Sequence, residues 1–499
     1  MINVGSNGVL VDIECHLSNS LPNIVIVGFA NKTVDESKER IRAAFSNSDV
    51  QLPRKRISIN LAPADVPKDS SSLDIAIAAA ILATSGQIKR KLSLGEAMIG
   101  ELGLDGTIRP VRGIIGKLLS GREKGIHTFF IPAANLEQAR IVPDIKLVPL
   151  RDFRELYLYL NEIQSITPVE TGEGTYPELR HARTFAHELS DVVGQAQAKR
   201  ALEVAAAGAH NILLNGPPGT GKSMLAKALP SILPALSHEE MLEVTHLHSL
   251  ANLEYGQIIS DRPFRAPHHS ASHVAIVGGG NAVRPGEISL SHRGILFFDE
   301  LPEFSRMTIE ALRQPLEDRT ITVSRAKETS TFPANFILIG TANPCPCGYY
   351  GSAKTCECSP HQLNRYRRKL SGPLLDRIDL YVEVQEVEHQ KLLTERRDAV
   401  VDNSVRQRIA KAREIQAQRY NSGKKLNCDM SNQEIRQKSA MSAKAKAILD
   451  VAAQKLDLSA RSYMRAVKVA RTIADLEASP SIETPHITEA LQYRAHQLT

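Results

Sequence analysis

No apolar run in this 499-residue chain is long enough to cross a membrane: the longest, IAIAAAILA from Ile75, falls far short of the roughly 20 residues a spanning helix needs. The N-terminal stretch MINVGSNGVLVDIEC lacks a basic segment followed by an apolar one, so no secretory leader is expected and a cytoplasmic location is. Six cysteines, four of them crowded between Cys345 and Cys358, do not make a disulfide framework in a chain of this size. The composition is not that of a disordered chain either, with 42% hydrophobic and 23% charged residues and its 30 glycines and 26 prolines spread throughout. A net charge of +6 permits contact with a polyanion without demanding it.

The length allows two to four domains. Residues 1–165 mix β-rich runs (NIVIVGF, RKRISINLA, FFIPA) with helical ones (TVDESKERIRAAFS, LDIAIAAAILATSG), which predicts an α/β or α+β domain. ITPVETGEGTYPELRHA, from Ile166, is rich in Pro, Gly, Thr and Glu without a period, so a linker is expected over 166–184. Over 185–385 the apolar strands NILLNG, GILFFDE and NFILIGTAN alternate with helices, the pattern of a mostly parallel sheet. The remainder, 386–499, has helical periodicity and few β-branched residues.

NGPPGTGKSML, from Asn215, is the strongest motif. Gly216, Gly219 and Gly221 let the backbone curl so that its N–H groups point at phosphates, and the helix that follows adds its dipole. Lys222 would reach the β- and γ-phosphates and Ser223 would ligand magnesium. GILFFDE ends a strand on Asp299 and Glu300, at the sheet edge where ligands of such folds bind. Asp299 would complete the magnesium shell and Glu300 would orient the attacking water. NFILIGTAN delivers Asn343 to the same edge, either as a sensor of the γ-phosphate or as a turn former.

The order of phosphate loop, acidic pair and strand-end asparagine resembles that of the AAA+ ATPases, and DVVGQ at Asp191 resembles their adenine-side box. FRAPHHSAS (Phe264 to Ser272), RPGEISLSHRGILFFDELPEF (Arg284 to Phe304), TANPCPCGYYG (Thr341 to Gly351) and LLDRIDL (Leu374 to Leu380) narrow the resemblance to the magnesium-chelatase-like ComM/YifB family, over essentially the whole chain. The resemblance implies an α/β fold with an AAA+ P-loop core, an N-terminal Lon-protease-like α+β domain and a C-terminal helical lid. It implies ATP and Mg2+ as cofactors and a homo-hexameric ring with ATP sites between subunits. Arg377 in LLDRIDL would then be the finger reaching the neighbour's γ-phosphate, and Arg461 in SARSYMRAVKVARTIADLE the second sensor. Either arginine has an alternative as an ordinary salt-bridge partner.

CPCGYYGSAKTCECSP carries the pairs Cys345/Cys347 and Cys356/Cys358, whose four thiolates would close a tetrahedral structural zinc site; free thiols or redox chemistry are the alternatives. Next comes HQLNRYRRKLSG, where Arg365, Arg367, Arg368 and Lys369 surround Tyr366, either a phosphate-binding run or a solvated helix face. His268 and His269 have no further ligand spaced to join them in a metal site; the family places their stretch at the ring's pore, as a DNA contact or a structural turn.

NLAPADVPKDSSSLDIAIAAA and GELGLDGTIRPVRGIIGKLLSG resemble the proteolytic domain of Lon-type proteases, with Ser72 at the nucleophile position. The lysine position of that family falls on Ile115, and Lys117 lies two residues further on. An isoleucine cannot take a proton, so an inactive peptidase domain is expected, serving in ring building or DNA contact, with Arg54, Lys55 and Arg56 a weak phosphate-contact candidate. The family implies a branch-migration helicase acting on single-stranded and branched DNA during natural transformation, with recombination or competence proteins as partners and no membrane. A protein remodeller and a magnesium-chelatase subunit are the rival functions. Stimulation of ATP turnover by DNA or by unfolded polypeptide separates the motor from the remodeller.

Overall fold

The computed structural model describes residues 1–499 apart from 6, 29–31, 65, 67, 69–70, 173–184, 252–254, 281–282, 325–328, 352–353, 371, 388–398 and 495–499. The chain forms two compact units. The first is Met1–His181 with Ser237–Ser260 and Thr322–Phe332; the second is Ala182–Leu236 with Asp261–Ile321 and Pro333–Thr499.

In the first unit, β1 (Asp12–Ser18), β2 (Asn23–Val27) and β3 (Arg56–Ala62) form a sheet with β3 in the centre, antiparallel to β1 and parallel to β2. Strict alternation in RISINLA turns Ile57, Ile59 and Leu61 inward. α1 (Lys32–Asn47) and α2 (Asp74–Thr84) pack beside this sheet. α2 is apolar almost all round and mostly buried, as a central helix must be. A second sheet has the order β7 (Val169–Thr171), β6 (Ile145–Leu150), β5 (Thr128–Pro132), β4 (Glu96–Met98), parallel except for β7. β7 lies inside the stretch expected to be a linker: paired with β6, it closes the sheet edge, and the remainder of that stretch, 173–184, is outside the described residues. α3 (Ile114–Glu123) packs against the helix His238–Ala251, where Gly116 leaves room for the His246 ring; a Cβ on Gly116 would stand 2.4 Å from that ring.

The second unit is built on five parallel strands in the order β9 (Phe264–Arg265), β10 (Ile295–Phe298), β11 (Ile337–Ala342), β8 (Ile212–Asn215), β12 (Leu380–Glu383). β10 and β11 are buried along their whole length, which is why they read as unbroken apolar runs rather than alternating ones. α4 (Ala196–Gly208) and α5 (Lys222–Ile232) flank the sheet, and α6 (Pro360–Arg367) follows the cysteine-rich stretch. The C-terminal part is helical as expected, with α7 (Ala399–Tyr420), α8 (Ala443–Lys455), α9 (Ala460–Leu476) and α10 (Thr484–Gln492). It is not a detached lobe. Its Ile409, Val467, Ile473 and Ile487 share one continuous core with strand residues Ile212, Leu214 and Ile339.

Candidate nucleotide site

β8, β10 and β11 deliver their C-terminal ends to one edge of the sheet, and the sequence motifs sit there. The loop after β8 needs glycine on steric grounds: a Cβ on Gly216 would lie 2.2 Å from the Val384 carbonyl oxygen, and Gly219 and Gly221 have φ of +80° and +87°. α5 begins directly at Lys222 and Gly221 offers no side-chain cap, so the first N–H groups of the helix are left for an anion.

The ammonium of Lys222 donates to the carbonyls of Gly216 (2.6 Å) and Pro217 (2.7 Å) and to Asn343 Oδ1 (3.2 Å). Burial lowers its pKa, against the opposing pull of Asp299 and Glu300. The Ser223 hydroxyl stands 3.1 Å from both carboxylate oxygens of Asp299. Thr341, which the sequence reading missed, joins these groups: its hydroxyl donates to Asp299 Oδ1 (2.7 Å) and accepts the Glu300 N–H (2.8 Å). The available signal was its place on β11, two residues before Asn343. Glu300 itself is an exposed non-glycine residue with φ of +52°. A hydroxyl beside a carboxylate is a hard oxygen donor set, which fits magnesium.

Arg377 and Arg461 are brought together by a different carboxylate, also missed from sequence. Arg377 donates to Glu317 Oε2, and Arg461 Nη2 lies 3.7 Å from Glu317 Oε1. The backbone of Arg377 is fixed through Asn211, a buried hub at the start of β8. The Asn211 amide donates to the Arg377 carbonyl (3.0 Å) and accepts the Leu338 N–H (2.9 Å), while its backbone exchanges bonds with Asp379 and Leu380. Beside it, the buried His210 ring spans Asp379 (3.3 Å) and Thr472 of α9 (2.8 Å), tying the Arg377 turn to the helical part.

The four cysteine sulfurs lie within 4.8 Å of one another and form the only such group of three or more metal-ligating side chains among the described residues. Cys345 is 3.3 Å from Cys347 and 3.7 Å from Cys356, and Cys347 is 3.5 Å from Cys356. These separations exceed a disulfide bond of about 2.0 Å and approach the roughly 3.8 Å edge of a tetrahedron with metal–sulfur bonds of about 2.3 Å. A backbone hydrogen bond from Tyr349 and the neighbouring Cys345 thiol bring the Cys347 thiol down to about 6. Gly348 of this stretch abuts the phosphate loop: its φ is +87°, and a Cβ there would stand 2.6 Å from the Pro218 ring.

α6 starts on a capping box between Ser359 and Gln362 and buries Tyr366, whose hydroxyl bonds to the Asn343 backbone and is pushed up to about 12 by burial. Arg365 and Arg368 are exposed; the Arg367 guanidinium lies over the Tyr350 ring at 5.5 Å, and Lys369 bonds Glu303 at 2.9 Å. A cavity of about 900 Å³ beside the loop is lined by Asn215, Pro217, Asn343, Tyr350, Tyr366 and Arg367 among others. His268 and His269 are exposed, their rings 4.1 Å apart, with His268 Nδ1 2.7 Å from the Ser270 hydroxyl. Arg54, Lys55 and Arg56 are exposed as well.

In the first unit the Ser72 hydroxyl is buried and donates to the Met1 carbonyl at 2.9 Å. Ile115 is fully buried. The Lys117 ammonium donates to the Arg112 carbonyl at 3.1 Å and is lowered to about 7 by burial.

Three family models cover most of the chain. The description "Magnesium chelatase, subunit ChlI" matches residues 188–392, "Subunit ChlI of Mg-chelatase" matches 13–135, and "Magnesium chelatase, subunit ChlI C-terminal" matches 402–494. The competence protein ComM of Haemophilus influenzae is 41% identical over 493 residues, covering 99% of this chain and 96% of that protein. The protein YifB of Escherichia coli is 41% identical over 497 residues, covering 99% and 95%. A more distant likeness, 25% identity over 170 residues, links 32% of the chain to 20% of the Lon protease of Leptospira interrogans. Among the described residues no helix is long and apolar enough to cross a membrane.

Proposed function

The chain belongs to the ComM/YifB family of magnesium-chelatase-like AAA+ proteins, and from that membership we propose that it is an ATP-driven DNA motor. It works as a homo-hexameric ring that migrates the branch point of joined strands while imported DNA is integrated in natural transformation. Its setting is the cytoplasm, its tracks are single-stranded and branched DNA, and competence or recombination proteins are its partners.

The observation that carries this function is the division of the nucleotide machinery. Lys222, Ser223, Asp299, Thr341 and Asn343 are gathered at one sheet edge, whereas Arg377 and Arg461 are gathered on Glu317. A ring in which each site is completed by the next subunit fits that division. The loop N–H groups and Lys222 hold the phosphates, Ser223 and Asp299 hold Mg2+, Glu300 orients the attacking water and Asn343 contacts the γ-phosphate. Magnesium, when bound, neutralises charge on the phosphate oxygens. The four cysteines hold a structural zinc. The Lon-like unit has no peptidase role in this reading, since the lysine position of that family falls on the buried Ile115, which cannot take a proton.

The test is ATP turnover with and without single-stranded and four-way-junction DNA, followed by strand displacement on the junction. We expect DNA to stimulate turnover and the branch to move only with hydrolysable ATP. Removing the charges of Arg365, Arg367 and Arg368 should weaken DNA binding and flatten its salt dependence, because each lost phosphate contact releases fewer counterions. A chain that binds no DNA at low salt, or whose turnover answers to unfolded polypeptide instead, is a protein remodeller.

A further inference from the structure

The main chain around Arg377 is held from several sides, which leaves its side chain as the variable part. Asn211 bonds the Arg377 carbonyl, the Arg377 N–H donates to the Leu374 carbonyl at 2.8 Å, and the Arg465 guanidinium of α9 donates to the carbonyls of Leu375 (3.2 Å) and Ile378. From this frame the guanidinium reaches Glu317, whose second oxygen faces Arg461.

Glu317 is anchored too. It lies in the short helix Arg313–Asp318, which ends on Arg319 with φ of +57°. Arg319 Nε donates to Asp429 at 3.0 Å and its Nη1 to the Phe336 carbonyl, just before β11, at 3.4 Å. The Glu317 side chain is 52% exposed, so its ion pairs add little to the stability of the fold. Their effect is on the two cations. Two guanidinium groups this close repel, and a single carboxylate between them offsets that repulsion and fixes their separation. The Arg377 guanidinium holds the Glu317 carboxyl below its ordinary range, so it stays charged at neutral pH.

We propose that Glu317 is a positioning residue that keeps Arg377 and Arg461 as one pair and presents both guanidinium groups together to the nucleotide of the adjoining subunit, a role that rests on the ring and the finger assigned above. Glu317 touches no reacting atom. It acts through Arg377, and so on the turnover of a neighbour rather than of its own subunit.

The experiment compares full-length Glu317→Gln and Glu317→Ala with Arg377→Ala, reading kcat, KM and nucleotide affinity. Arg377→Ala should cut kcat by roughly a thousandfold or more, as loss of an arginine finger does. Glu317→Gln should cut it roughly 10- to 100-fold, the scale of a misplaced catalytic group, with KM moving less than about twofold because the phosphate loop is untouched. Mixing either Glu317 variant with Lys222→Ala should restore turnover at mixed interfaces, where a Lys222→Ala subunit supplies an intact arginine pair to a neighbour whose own loop is intact. Wild-type turnover in Glu317→Gln and Glu317→Ala beside a crippled Arg377→Ala overturns the role of Glu317 alone. Slow turnover that no mixing ratio restores places the defect inside the subunit and overturns it too. Full activity in Arg377→Ala overturns the finger itself, and with it the ring chemistry of the proposed function.

Discussion

Lys222, the first residue of α5, and Lys117, inside α3, both donate to backbone carbonyls and have pKa values lowered by burial, yet their surroundings differ. Lys222 is half-buried, feels the charges of the exposed Asp299 and Glu300, and donates to the Asn343 side-chain oxygen, while the adjacent Ser223 hydroxyl bonds Asp299. Lys117 is buried and donates to the Arg112 carbonyl, and the buried Ser72 hydroxyl of the same unit donates to the Met1 carbonyl. On the function proposed above, the same pair of residue types, serine and lysine, serves chemistry in one unit and packing in the other. What separates them is access to a sheet edge and the presence of charged oxygens that a ligand can share.

The comparison breaks most sharply at the phosphate loop. Lys222→Ala should abolish ATP binding, and Glu300→Gln should retain binding while hydrolysis falls by roughly a hundredfold or more, the usual range for a lost proton-handling group. Ser72→Ala should alter neither, and direct nucleotide-binding and turnover assays read all three. Normal hydrolysis by Lys222→Ala, or peptide cleavage that Ser72→Ala removes, would reverse the contrast.

A middle-sized effect is expected at the cysteines. Elemental analysis of purified protein should find about one zinc per chain, the content of a closed four-thiolate site, and the double change Cys345→Ser with Cys347→Ser should lose it. Because Gly348 abuts Pro218, the KM for ATP should rise severalfold in the same variant. Metal-free wild type that stays folded and fully active under reducing conditions would count against both statements.

The smallest effect concerns Lys117. Its pKa is lowered from 10.5 to about 7, so between those values the unfolded chain holds a proton that the folded one has released. Stability should therefore rise with pH across that window, and the full penalty remains below about pH 7. Lys117→Met should raise stability at neutral pH by about 1–3 kcal/mol and flatten that rise, with ATP turnover unchanged. Thermal melting as a function of pH reads it, and a variant less stable than wild type at pH 7 would show Lys117 to be a needed polar contact.

The parts legible in the sequence are those whose physics is local. The glycine spacing of the phosphate loop, the acidic pair at the end of GILFFDE and the helical period of the last hundred residues each follow from a short window. Thr341 was hidden because nothing distinguishes a strand threonine until its neighbour across the sheet is known. Glu317 and Asn211 were hidden because their partners lie 60 and 166 residues away. The strand Val169–Thr171 was mistaken for linker since three residues carry no period, and only its pairing with Ile145–Leu147 gives it a place. The helix His238–Ala251 belongs to the first unit for a similar reason: its partner surface is Gly116, far back in the chain.

Glu300 stands in left-handed backbone, a conformation that costs a residue with a Cβ about 1–2 kcal/mol and that glycine adopts freely. The Thr341 hydroxyl, by taking the Glu300 N–H, holds the chain in that shape. A glycine at position 300 would thus make a more relaxed protein without the carboxylate, so with the role proposed for Glu300 stability and catalysis pull in opposite directions at this one residue.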